Sequence, residues 1–371
     1  MTSAMDASLL DYVRDPRIYR ENYLRSVEMR RPWWIPCSVS FSQATWSRYR
    51  ERLEDILARY PLIFPEFRRG SVRFDDFGLR YRGNRFIDPW GCVWLFLADG
   101  LQGQVVEHPL RDWGRLKDFN PPDPGDGIPV EGGPTIPWGM VEDSVRSARM
   151  DGRLVRISMP HGFFFQRLYY LRGFQELMKD IAVEDERLYN LIGILEEYYV
   201  ELAKRIAMLK PDIVYFGDDL GMQYRMPISP AKFRRLIYPS YRRIFSLLRS
   251  LGIHVYLHSD GHVVEVMDLL VESGISVLNV QDRVNGLDNI ARICRGRVCV
   301  ALDIDRQKLL PFGSPSEIRS HLERSVRILA SRDGGLMFVA DVYPDVSLEN
   351  IEALCRSLED VVQLHLELND R

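Results

Sequence analysis

With 371 residues, 46% of them hydrophobic, and a formal net charge of −3, the chain is long enough to bury one large core or two modest ones. Its 49 basic residues are almost all Arg, are scattered along the chain and are balanced by 52 acids, so no basic stripe marks a nucleic-acid surface. No apolar run approaches the roughly eighteen residues of a membrane span, and the charged first residues do not resemble a secretory leader. The five cysteines Cys37, Cys92, Cys294, Cys299 and Cys355 form an odd set without a Cys-x-x-Cys pair, as expected of a cytoplasmic protein.

In chain order, residues 1–30 are charged and are expected to form an N-terminal helical extension, with one barrel domain over 31–371. The run Arg31 to Phe41 leads into a first buried strand near Ile35, and a helix is expected around Ala44 to Tyr60. Arg85 to Phe96 alternates aromatic and polar residues around Pro89 and Gly91, which suggests a bent strand near Phe86. Pro and Gly crowd the segment from Asn120 to Gly139, an irregular loop.

Beyond that loop, short apolar runs alternate with helical periodicity. The runs are Leu154 to Met159, Ile213 to Phe216, Val255 to His258, Ser276 to Val280, Val298 to Leu302 and Leu336 to Ala340. Between them, residues such as Leu188, Leu191, Leu195, Tyr199 and Leu202 recur at helical spacing. Repeated βα units demand a parallel sheet. With the two upstream candidates the count reaches eight, the pattern of an α/β, (β/α)8 TIM barrel. A doubly wound open sheet is the alternative, although no G-x-G-x-x-G or P-loop follows any of these strands.

In a barrel the strand tips share one rim, and ligands bind there. Acids stand at most of these tips: Asp88, Asp218 and Asp219, Asp260, Asp282, Asp303 and Asp341. So many carboxylates around one mouth require a cation, a proton or hydrogen bonds. Capping of the following helices accounts for some of them. It accounts less well for His258-Ser259-Asp260, where strand alternation turns both potential metal ligands to one side and His262 to the start of the helix. In Phe216-Gly217-Asp218-Asp219-Leu220-Gly221 the paired acids suit general-acid and electrostatic roles, shared with Asp88. His161 beside Phe163 and Phe164 suggests a substrate wall, with Gln281 a further binding candidate, although ordinary core packing is the commoner explanation for the phenylalanines.

Several of these segments together resemble the uroporphyrinogen decarboxylase superfamily, which includes porphyrinogen decarboxylases and cobalamin-dependent methyltransferases. The resemblance rests on Gly217-Asp-Asp-Leu-Gly221, Ile228 to Phe233 with Tyr238-Pro239, Leu257-His-Ser-Asp-Gly261, Leu309-Leu-Pro-Phe-Gly313, and Gly334-Gly335 through Pro344 to Glu349-Asn350. Asp88-Pro-Trp-Gly91 and Gly103-Gln104 through Leu110 extend it upstream. The resemblance implies a single (β/α)8 barrel.

Departures from the decarboxylase pattern favour the methyltransferase branch. Pro36 to Gln43 stands where the decarboxylases carry two arginines that grip substrate carboxylates, and Ala340-Asp341-Val342 replaces their late Gly-His. The methyltransferases resembled hold zinc through His-x-Cys and a later Cys. Here His258 matches the His, while Asp260 and Asp341 fall at the cysteines, a harder ligand set suited to divalent metals other than zinc as well. The implied activity is methyl transfer between a small methylated donor, such as a methyl ether, and a corrinoid carried by a partner protein. In that scheme the metal at the mouth is a Lewis acid. The alternatives are a decarboxylase of a porphyrinogen or smaller acid, and a barrel that binds a corrinoid or a partner without turnover.

Overall fold

The computed structural model describes residues 10–369; the first nine residues of the expected N-terminal extension lie outside them. Seven parallel strands form the main sheet: β1 Cys37–Phe41, β2 Arg156–His161, β3 Ile213–Gly217, β4 His254–Ser259, β5 Val277–Gln281, β6 Cys299–Asp303 and β7 Leu336–Val342. Their spatial order is β1-β7-β6-β5-β4-β3-β2. Each strand from β2 onward lies beside its successor, and the last pairs with the first, Ser38 opposite Val339 and Ser40 opposite Asp341. A doubly wound sheet would reverse direction at a switch point. This sheet instead curls round on itself, and the α/β barrel class expected from the periodicity holds.

The strand near Phe86 does not join the barrel. Arg85–Ile87 pairs antiparallel with Val93–Leu95, which pairs with Gln104–Glu107 in a separate three-stranded sheet. The cause is the turn between them. Asp88 accepts hydrogen bonds through Oδ1 from the backbone N–H groups of Trp90 and Cys92, and Gly91 takes φ +81°. The chain therefore doubles back at once, whereas a parallel neighbour needs a crossover of about a dozen residues. A gap remains between the edges β1 and β2, with a cavity of about 410 Å³ lined by residues including Cys37, Val39, Phe64, Leu154 and Arg156.

The helix Pro16–Val27 closes the bottom of the barrel. Its Tyr23 and Val27 are buried against Ile213, Val277, Cys299 and Met337, inward residues at the starts of β3, β5, β6 and β7. The Tyr23 hydroxyl lies 2.6 Å from that of Tyr215, whose ring stacks on Tyr256 at 4.2 Å. Arg20 forms a two-pronged ion pair with Asp212, just before β3. This stretch of the N-terminal segment is thus part of the barrel core. The helix expected over Ala44 to Tyr60 is split into Gln43–Tyr49 and Glu51–Arg59 by Arg50, whose φ is +50°. The outer layer buries long amphipathic helices, Glu186–Met208 and Tyr238–Ser250 against β3 and β4, and Pro315–Leu329 near the end of the ring. Among the described residues no helix is long and apolar enough to cross a membrane. With the bottom plugged, the C-terminal ends of the strands form the open mouth.

Candidate active site

Inward residues succeed one another along β4 as His254, Tyr256 and His258, as two-residue alternation requires, and His258 emerges at the mouth. Opposite it on β5 stands Asn279. The Asn279 Nδ2 donates to the Ala301 carbonyl at 2.7 Å, which fixes the amide so that Oδ1 faces the His258 Nδ1 at 2.7 Å. Nδ1 is therefore the donor. The other ring nitrogen, Nε2, points at Asp260 Oδ1, 3.3 Å away, and Asp219 Oδ1, 3.6 Å away.

Asp219 reaches this position because two loops touch backbone to backbone. A Cβ on Gly221 would lie 2.4 Å from the His262 nitrogen, and one on Gly261 2.3 Å from the Gly221 carbonyl carbon, so no larger residue fits at either place. The Asp260 N–H donates to Asp219 Oδ1 at 3.1 Å, and Gln166 Nε2 holds Oδ2 at 2.9 Å. His161, at the end of β2, lies across Gly217, where a Cβ would meet its Cδ2 at 2.3 Å. Its Nε2 is 3.5 Å from Asp219 Oδ1 and its Nδ1 3.5 Å from Glu131 Oε2. Glu131 comes from the Pro- and Gly-rich loop and also accepts from the Tyr170 hydroxyl at 2.6 Å.

The other half of the mouth is organised by Arg306, whose side chain is only 11% exposed. Its Nη2 bonds both oxygens of Asp260 at 2.5 and 2.6 Å, and its Nη1 bonds Asp341 Oδ2 at 2.9 Å. Asp341 also accepts from the Ser40 hydroxyl on β1. Beneath them Asp303 is 1% exposed and neither of its oxygens has a hydrogen-bond partner among the described residues; Arg306 Nη2 is 3.6 Å away.

The charges respond to this crowding. Burial disfavours the cationic form of His258, but its bond to Asp260 and the fields of Asp260 and Asp219 prevail and push it up to about 9. His161 is likewise raised well above the ordinary imidazole value by Asp219 and Glu131, against the cost of burial. Asp219 and Asp260 are held below the usual carboxylate range by the imidazoles, although burial opposes it. For Asp303 burial wins over the pull of Arg306 and raises it to about 7. Three carboxylates thus converge on two imidazoles, an arrangement that demands positive charge between them.

The structure brings together Asp219, His161, His258, Asp260, Asp303 and Asp341 of the residues singled out in the sequence. Others stand elsewhere. Asp88 is buried with its oxygens spent on the Trp90 and Cys92 amides, the Trp94 Nε1 at 2.9 Å and Arg167. Asp218 turns away from Asp219 and caps the helix Phe165–Arg172, accepting from the amides of Phe164, Phe165 and Gln166. Phe163 and Phe164 are fully buried against Tyr199 and Tyr241 on the helical side of the wall, not in the mouth. Gln281 accepts from the Gly261 amide at 3.0 Å and so braces the turn after β4. His262 faces the Val284 carbonyl and Glu265.

Asn279, Ser40, Arg306, Glu131 and Gln166 escaped the sequence reading. Asn279 was accessible from alternation on β5, and Ser40 from alternation on β1. Arg306 follows three residues after Asp303, a spacing that returns a long side chain to its own strand tip. Glu131 sits in a loop without periodicity and carried no signal.

Residues 102–361 match the uroporphyrinogen decarboxylase (URO-D) family. Among solved structures, a methyltransferase from Methanosarcina mazei superposes over 92% of this chain and 98% of its own, with 16% sequence identity and a TM-score of 0.60. A D-psicose 3-epimerase with D-tagatose from Clostridium cellulolyticum H10 aligns over 62% of this chain and 82% of its own, at 10% identity and a TM-score of 0.33. No curated protein sequence gives a significant match. With the family pattern spanning well over half of its length, the chain belongs to the uroporphyrinogen decarboxylase family.

Proposed function

We propose that this member of the family is an enzyme that moves a methyl group from a small oxygen-bound donor to a corrinoid presented by a partner protein. The observation that carries the reading is the make-up of the mouth. The inner face of β1 offers Ser38 and Ser40, and the guanidinium in the cluster, Arg306, is already neutralised by Asp260 and Asp341. A substrate bearing many carboxylates would meet acids rather than an anion grip. A small neutral ether would not be repelled.

The family resemblance implies a metal held at the mouth by three residues. His258, Asp260 and Asp341 do not fit as one set, because Arg306 sits between the two carboxylates and uses both oxygens of Asp260. No step is assigned to a metal there. Breaking the methyl–oxygen bond leaves its electron pair on oxygen, and that oxygen is stabilised by the cationic centre around His161, Asp219 and His258. His161, with 37% of its side chain exposed, is the face of that centre open to the mouth. Glu131 and Asn279 orient the two rings from behind. Asp88, Asp218, Phe163 and Phe164 build the wall and do not touch the donor.

Mixing the protein with a corrinoid protein in the cob(I)alamin state and a panel of aryl and alkyl methyl ethers tests the reading. Donor-dependent conversion of the reduced corrinoid absorbance to that of methylcobalamin, lost in His161→Ala, supports it. Carbon dioxide release from a porphyrinogen or smaller acid, with no methyl transfer, would overturn it in favour of decarboxylation.

A further inference from the structure

We infer that His161, Asp219 and His258 form a seat for one divalent metal ion, beside the Arg306 cluster and on the Asp219 side of the His258 Nε2. The three side chains come from the ends of three different strands, β2, β3 and β4, and their donor atoms gather within 4.8 Å of one another. Both Nε2 atoms address the same oxygen, Asp219 Oδ1, at 3.5 and 3.6 Å. Those separations are long for hydrogen bonds. They match ligand atoms each about 2.1 Å from a common tetrahedral ion, which stand about 3.4 Å apart.

The surroundings have the form that a metal seat needs. Each imidazole has its outer nitrogen directed at an oxygen: His258 Nδ1 donates to Asn279 Oδ1 at 2.7 Å, and His161 Nδ1 faces Glu131 Oε2 at 3.5 Å. Such partners fix the ring and leave the inner nitrogen for the ion. Gln166 anchors the other oxygen of Asp219, so that Oδ1 stays aimed inward. Gly217 has no side chain where His161 must lie. Meanwhile Arg306 occupies the place between Asp260 and Asp341, so the two cations of the mouth have separate seats.

Two imidazoles and one carboxylate leave open coordination positions and accept zinc, manganese or ferrous iron with an oxygen ligand. The exposed edge of His161 places the open side toward the mouth. The ion would polarise an oxygen-bound substrate there, which deepens the proposed reading and rests on it for the identity of that substrate. The binding itself does not depend on methyl transfer.

Metal-stripped full-length protein is titrated with Co(II), followed by its visible absorption, and with Zn(II) by competition. One ion per chain is expected. His161→Ala and Asp219→Asn should weaken binding by at least the roughly 10–100-fold typical of lost metal-site support, and Asp341→Asn should change it less than about threefold. Far-ultraviolet circular dichroism of each variant shows that it is folded, and His161→Gln replaces any that is not. The inference is overturned if folded wild-type protein binds neither ion, or if Asp341→Asn abolishes binding that His161→Ala retains, which would put the ion between Asp260 and Asp341. Methyl transfer by a folded protein that binds neither ion would overturn the inference while leaving the proposed function standing. Binding as expected with carbon dioxide release in place of methyl transfer would do the reverse.

Discussion

Asp218 and Asp219 are neighbours in sequence with opposite duties, and substitution separates them. Asp218 is fully buried and satisfies the amides of Phe164, Phe165 and Gln166 at 3.0, 2.6 and 2.8 Å together with the Tyr241 hydroxyl at 2.5 Å. Asp218→Ala leaves these four donors without an acceptor, at about 1–3 kcal/mol each, or about 4–12 kcal/mol in all. Part is returned, because the buried carboxylate is itself costly. Burial raises Asp218 to about 6, some two units above its ordinary value, equivalent to about 3 kcal/mol of strain on its charged form at neutral pH. The net expectation is a destabilisation of about 1–9 kcal/mol, with a midpoint of about 5 kcal/mol. Asp219→Asn keeps the shape but only one acceptor oxygen for the Asp260 amide and Gln166 and no charge for the imidazoles, and, being partly exposed, should cost about 1–2 kcal/mol. Urea unfolding followed by tryptophan fluorescence and circular dichroism measures both. Equal stability of Asp218→Ala and wild type, or an equal loss in Asp219→Asn, would refute the division of labour.

Removing Arg306 as Arg306→Ala leaves Asp260, Asp341 and the buried Asp303 without their cation; because Asp260 and Asp341 are partly exposed, the loss should be about 2–4 kcal/mol rather than that of a fully buried pair. Asp303 is already raised to about 7, so its ionisation opposes folding as pH rises, and the deficit of the variant should widen through that pH in urea titrations. Gly217→Ala should push the His161 ring aside, since the new Cβ would lie 2.3 Å from Cδ2, weakening Co(II) binding more than it lowers the unfolding midpoint. At the barrel bottom, burial holds His254 below the ordinary imidazole range against the pull of Glu28. The unfolded chain then takes up its proton first, so stability is full above about pH 6.5 and falls as pH drops below it. Thermal melts of wild type and His254→Gln should converge on acidification.

The barrel was legible because its strands are buried on both faces and separated by amphipathic helices, so that β2 to β7 stand out as apolar runs of strand length. Phe86 misled because an aromatic strand of a hairpin and one of a barrel carry the same alternation; the turn chemistry of Asp88 and Gly91 decides between them, and acts through hydrogen bonds that no periodicity reports. His258, Asp260 and Asp341 were placed at the mouth by strand alternation. What they bond to was not legible. Arg306 lies beyond a strand tip and Glu131 in an irregular loop, and their side chains select among the acids by reach rather than by pattern. Nor does a pair of adjacent aspartates reveal which one faces the helix amides and which the imidazoles.

Anomalous diffraction from crystals of the protein soaked in Mn(II) tests most directly the claim that the mouth holds two separate cation seats. One peak is expected about 2.0–2.3 Å from the Nε2 atoms of His161 and His258 and from Asp219 Oδ1, with Arg306 still bridging Asp260 and Asp341. A peak between Asp260 and Asp341 with the guanidinium swung out, or no peak at the mouth at a saturating concentration, would contradict it.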